Sequence, residues 1–150
     1  MRPLLLVLLW LLPSAAFAQD ELITVPSAHS APVTVQRLQE AIIANDFTIL
    51  ATIDHAAHAA EFGVKILART TIAFAWMPGW TYALIDTPTV AIEVPYRVLV
   101  WQDREGVWVT RNTVRYFMRN IIRRHERKTN EVLLQEHDTK IAALIDNATR

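Results

Sequence analysis

The chain has 150 residues, 52% of them hydrophobic, with 15 Lys and Arg balanced by 15 Asp and Glu and no cysteine. That length supports one domain whose core closes without staples, and the missing thiols exclude disulfides and cysteine-based redox chemistry. A net charge of zero argues against nucleic acid as a partner, and with 3 glycines in all, Gly63, Gly79 and Gly106, there is no phosphate-cradling loop.

In chain order, Arg2 precedes an apolar run from Leu4 to Leu12 that closes on Ala16-Phe17-Ala18. This is the pattern of a secretory signal, too short for a spanning helix of about 20 apolar residues. Residues 1–18 are therefore expected to be cleaved after Ala18, leaving 19–150 as a single periplasmic or secreted domain; retention of the peptide as an anchor is the alternative. Leu22 to Ser27 reads as a first strand with Ile23 and Val25 on its buried side. Val35, Leu38, Ala41, Ile42 and Ile43 fall at helical spacing, with Ser30 or Thr34 as caps and Asn45 near the end.

Phe47 to Ile53 and Thr70 to Trp76 are β-branched and aromatic, hence strands. The alanine-rich stretch from His55 to Phe62 reads as a short helix, with Gly63 where a C-terminus favours glycine. Met77-Pro78-Gly79 reads as a turn and Trp80 to Ile85 as a helix. Tyr96 to Gln102 and Val107 to Arg111 form a hairpin around Asp103-Arg104-Glu105-Gly106. Val114, Phe117, Met118, Ile121 and Ile122 recur at helical steps. After a polar break at 128–131, so do Leu134, Ile141, Leu144 and Ile145.

The stretch from Val33 to Tyr116 resembles Domain of Unknown Function family 302. The matching elements are the early helix, Phe47 opening a strand, Ile53-Asp54-His55-Ala56 closing it, Arg69-Thr70-Thr71, then Thr81, Leu84, Pro88, Ile92 and Pro95, and the block from Arg97 to Asp103. The resemblance implies an α+β fold of the TATA-box-binding-protein-like group and no particular reaction. The chain departs from the family pattern at Ala75-Trp76-Met77-Pro78-Gly79-Trp80, where a Gly-Asn-Pro-like turn is usual. It departs again at Arg124-His125, a pair that the family places nearer its tyrosine.

Three constellations carry candidate chemistry. Asp54, His55 and His58 sit where a strand hands over to a helix. There Asp54 serves as an N-cap, orients an imidazole against an organic ligand or, with His55 as general base, for acid-base catalysis, or joins the histidines around a metal, for which His29 is the one evident extra imidazole. Trp76 and Trp80, with Met77 and Tyr82, flank Pro78-Gly79 and form either a contact surface or a lid folded back on the sheet. Arg115, Arg119 and Arg123 recur every four residues within a basic run that includes Arg111, Arg124, Arg127 and Lys128, as on a helix face that meets an anionic surface or is simply solvated.

No serine elbow, His-Glu-x-x-His motif or paired acid signature supports an enzyme. The sequence thus predicts an α+β domain. Its single antiparallel sheet of about five strands has helices on one face, a family-like core over 33–116 and C-terminal helices over 113–148. The expected function is small-ligand binding near Asp54, His55, His58, Trp76 and Trp80. The alternative is a protein- or lipid-interaction module that uses Arg115, Arg119 and Arg123, touching the membrane peripherally or an envelope protein. Cofactors, metal and ligand identity are unknown from sequence, and homodimerisation is left open.

Overall fold

The computed structural model describes residues 21–126 and 131–150. The expected signal peptide lies outside the described residues, as does most of the predicted polar break. Five strands, β1 (Leu22–Ser27), β2 (Thr48–Asp54), β3 (Arg69–Ala75), β4 (Tyr96–Gln102) and β5 (Val107–Asn112), form one sheet in the order β1-β5-β4-β3-β2. All neighbours are antiparallel. The helices are α1 (Ala31–Ala44), α2 (His55–Glu61), α3 (Met77–Asp86), the short α4 (Val114–Phe117) that runs into a π turn (Met118–Arg123), and α5 (Glu131–Thr149). A 3-10 turn (Pro88–Ile92) follows α3.

Side chains alternate across a strand, so cross-strand partners share a face. On one face Ile72 and Phe74 of β3, Tyr96, Val98 and Val100 of β4, and Val107, Val109 and Arg111 of β5 are all buried. Helix α1 covers them with Ala31, Thr34, Leu38 and Ile42, the stripe a 3.6-residue period produces. Helix α5 adds Ile141, Leu144, Ile145 and Ala148. Phe47 and Tyr96 bracket Phe74 with ring centroids 5.4 and 5.8 Å away.

Two polar devices hold α5 in place. The C-terminal carbonyls of a helix lack intrahelical partners and carry partial negative charge. Here the Arg37 guanidinium donates to the carbonyls of Asn147 (2.9 Å) and Ala148 (3.1 Å), and the Ala28 amide donates to that of Thr149 (2.8 Å). Deeper in, Arg111 of β5 forms a two-pronged ion pair with Asp138 of α5, its second arm at 3.3 Å. Burial, with Asp138 adding to it, pushes the neighbouring Tyr96 phenol up to about 12.

Local details mostly follow the sequence. Asp54 caps α2, and α2 closes on Gly63 at φ +74°. The amides of Gly63 and Val64 bond back to the carbonyls of Ala60 and Ala59, a Schellman closure. Ser30 occupies the N-cap position of α1 without a side-chain bond, while the Thr34 hydroxyl donates to the Ser30 carbonyl at 3.0 Å. Met77-Pro78-Gly79 is not a free turn but the first turn of α3, where proline's fixed φ suits a helix start. On edge strand β1, Ile23 is 37% exposed despite facing the helices, because no strand flanks it on the outside. Pro26 lies on the same edge, where a missing amide is tolerated.

Asp138→Ala strands the Arg111 guanidinium without its counter-charge and should lower unfolding stability by about 3 kcal/mol in urea. The paired replacement Arg111→Met with Asp138→Leu should recover most of that loss, whereas an unchanged urea midpoint for Asp138→Ala alone would show that the pair does not anchor α5.

Candidate functional site

Among the described residues, most of the opposite face of the sheet is open. Its strand residues are Leu22, Thr24 and Pro26 of β1, Trp108, Thr110 and Asn112 of β5, Arg97, Leu99 and Trp101 of β4, Arg69, Thr71, Ala73 and Ala75 of β3, and Thr48, Ala51 and Ile53 of β2. Only Ala73 and Ala75 among them are buried. A bulge between Ile49 and Ala51 interrupts the alternation on β2.

Two indoles stack at the β4–β5 hairpin end of this face. Trp101 and Trp108 are cross-strand partners, their ring centroids 6.1 Å apart and their planes at 29°. Both indole N–H groups are used below the rings: that of Trp101 donates to the Thr110 hydroxyl at 2.8 Å, and that of Trp108 to the Asp103 carboxylate at 3.0 Å. The Thr110 hydroxyl lies 2.8 Å from that of Thr24, which continues the chain across to β1. The amides of Glu105 (2.8 Å) and Gly106 (3.0 Å) converge on the same Asp103 oxygen. Led by the Trp108 bond, these donors hold the Asp103 carboxyl below its ordinary 3.8.

The strand-to-helix corner adds the polar part. His55 Nε2 sits 2.9 Å from the Thr71 hydroxyl, so the first imidazole of α2 leans over the open face. Thr71 pairs across with Leu99, and Arg69, two residues earlier on the same face, pairs with Trp101. His55, Thr71, Arg69 and the indole pair thus share one patch. His58 is exposed on the next turn of α2. The Asp54 carboxylate accepts from the amides of Ala56 (2.9 Å) and Ala57 (3.0 Å), the capping role that its position at a helix start favours.

Trp76 and Trp80 are elsewhere. The β2–β3 register pairs Asp54 with Thr70 and Thr48 with Ala75, so Asp54 and Trp76 sit at opposite ends of the strands. Six residues at about 3.3 Å each put about 20 Å between those ends. Trp76 packs edge-on against His137 of α5 at 5.3 Å, and Trp80 against Tyr96 at 5.7 Å. Burial, then Lys140, lowers the His137 pKa. Gly79 makes the arrangement possible, since a Cβ there would come within 2.4 Å of the Trp76 ring. The five residues predicted as one site therefore fall into two groups at opposite ends of the β2–β3 pair.

The basic run is divided as well. Arg111 is buried against Asp138, Arg119 pairs with Glu21 at 2.7 Å, and Arg124 pairs with Glu93 at 2.7 Å. His125 is turned inward, with Nδ1 2.9 Å from the Thr89 hydroxyl. Arg119 and Arg123 lie within the π turn, whose wider winding breaks the four-residue alignment with Arg115. Among the described residues, no group of three or more His, Asp or Glu side chains is placed to hold a metal. A separate groove of about 340 Å³ runs between β1 and α5, walled by Ile23, Val25, Val109 and Ile145 and rimmed by Asp146 and Arg150.

Residues 23–148 match the family described as Domain of unknown function DUF302. A crystal structure described as an uncharacterized conserved protein DUF302 from Bacillus stearothermophilus superposes with a TM-score of 0.69 at 17% identity, covering 86% of this chain and 98% of that one, a likeness of fold. Two curated relatives, each named Fluoride-specific ion channel FluC 1, come from Brucella suis biovar 1 (strain 1330) and Brucella abortus biovar 1 (strain 9-941). Both are 31% identical over 101 residues, which is 67% of this chain but 40% and 37% of theirs. The chain therefore spans about two-fifths of the curated relatives it matches.

A carboxylate held below its ordinary pKa contributes its bond in full above that ordinary value and loses it as pH falls through the lowered one. Trp108 emission should therefore stay constant on acidification past pH 3.8 and change only below it. Asp103→Ala should remove that step; a step that survives in the variant would show that Asp103 does not hold the indole.

Proposed function

The chain belongs to the Domain of unknown function DUF302 family, and on that premise we propose that it is an exported small-ligand-binding module whose ligand lies on the open face of the sheet, between the His55 corner of α2 and the Trp101–Trp108 pair. One observation carries this reading: two half-buried indoles stack on each other with both N–H groups satisfied by protein, on the same sheet face as Arg69, Thr71 and the overlying His55. Indole faces supply large contact area at low entropic cost, and recognition sites combine such surfaces with a few fixed polar groups. Export rests on the Arg2, Leu4–Leu12 and Ala16-Phe17-Ala18 pattern. In this reading Asp54 is a positioning residue that starts α2 and so aims His55.

A second reading is favoured by the relatives. Proteins named as fluoride-specific ion channels contain a matching segment as two-fifths of their length, which suits a domain that works beside a membrane protein. In that role the run of Arg115, Arg119 and Arg123 would meet an anionic membrane surface. Arg119→Glu with Arg123→Glu should then abolish low-salt sedimentation with phosphatidylglycerol vesicles, and sedimentation indifferent to both charge and salt would reject it.

The first reading is tested with a panel of small carboxylates, amines and neutral solutes, followed by tryptophan emission. A binder should be detected, its response should vanish in Trp101→Phe with Trp108→Phe, and it should persist in Trp76→Phe with Trp80→Phe. The opposite pattern, or no response to any member of the panel, would overturn it.

A further inference from the structure

The open face carries a bias of charge. Although the chain as a whole is neutral, the strand residues of this face include Arg69 and Arg97 and no Asp or Glu. His55, over Thr71, adds a third nitrogen-bearing group. The nearest carboxylate at the hairpin, Asp103, is occupied by the Trp108 indole and two backbone amides.

Arg69, Trp101 and Trp108 stand in one cross-strand row. At about 4.8 Å between strands, the row spans about 10 Å from guanidinium stem to second indole. That is the length of one fused ring system with a single charged substituent. The indoles are half-buried and stacked on each other with their planes at 29°, which presents an aromatic surface suited to a flat ligand. Arg69 has one donor on the Leu67 carbonyl at 3.3 Å, and its planar fork keeps further donors for a carboxylate.

Resting on the reading of the open face as the binding site, we propose that its ligand is a planar aromatic anion, with its ring against the Trp101–Trp108 stack and its carboxylate on Arg69. The arrangement separates the two halves of recognition. The indole pair contributes to any aromatic ligand, and Arg69 discriminates the anion from its neutral isostere.

The test uses the purified protein and three probes, 2-naphthoate, 2-naphthamide and cyclohexanecarboxylate, followed by the indole N–H resonances of all four tryptophans between residues 76 and 108. Naphthoate should shift the Trp101 and Trp108 signals and bind about tenfold or more tighter than either of the others, the scale of one charge-assisted hydrogen bond. Arg69→Gln should cut naphthoate affinity by a similar factor and leave naphthamide unchanged. Arg69→Lys should restore part of it, which separates loss of charge from a misfolded strand. Equal binding of naphthoate and naphthamide, no effect of Arg69→Gln, or no naphthoate binding would overturn the proposed ligand class, while the open-face reading is judged independently by the solute panel and its tryptophan variants. Backbone-amide shifts by naphthoate confined to the groove at Ile23, Val25 and Ile145 would likewise overturn the ligand class and leave the open-face reading to the solute panel.

Discussion

A strand can bury only every second side chain against one layer of helices. In this domain that constraint falls on β3, β4 and β5, whose Ile72, Phe74, Tyr96, Val98, Val100, Val107 and Val109 all turn to the same side and require cover. The stripe of α1 and the second half of α5 supply it. Arg111 falls on the buried side by the same alternation, and Asp138 meets it there, which ties the last helix to the sheet that it shields. The residues between them have no such obligation. Leu99, Trp101, Trp108 and Thr110 are fixed in position by the core beneath and remain available above it.

Rigid placement matters for a binding surface, because a ligand that meets preset groups does not have to order them. The open-face groups are supported from the backbone upward. Trp108 is held by Asp103, Trp101 by Thr110, and Thr110 lies against Thr24 on the next strand. His55 is aimed by a helix that begins at a capped Asp54 and ends in a Schellman closure at Gly63. By contrast Trp76 and Trp80 serve the other side of the molecule, packing against His137 and Tyr96 where α3 and α5 close over the core.

Much of this is readable from local pattern. The β4–β5 hairpin, the α1 stripe, the Asp54 cap and the glycine at the end of α2 each depend on residues within a few positions of one another. The helical start at Met77 is also local, through Pro78, although Pro-Gly alone reads equally well as a turn. What local pattern does not contain is the register between β2 and β3, which sends Asp54 and Trp76 to opposite ends. Nor does it contain the partners of the basic run, since Glu21, Glu93 and Asp138 are distant in sequence from Arg119, Arg124 and Arg111. The Trp101–Trp108 pair had a usable signal. A hairpin around Asp103 to Gly106 sets 102 opposite 107 and hence 101 opposite 108. Which side of the hairpin faces water, however, depends on where the helices pack.

The account holds that the molecule's ligand contacts the uncovered sheet surface and leaves the helical side untouched. The most direct measurement is the difference between two amide and methyl correlation spectra, one of labelled protein isolated under native conditions from its own compartment, the other of the same sample unfolded, dialysed free of small molecules and refolded. Differences should gather at Thr71, Leu99, Trp101, Trp108 and Thr110. Identical spectra, or differences gathered along α1 and α5, would contradict it.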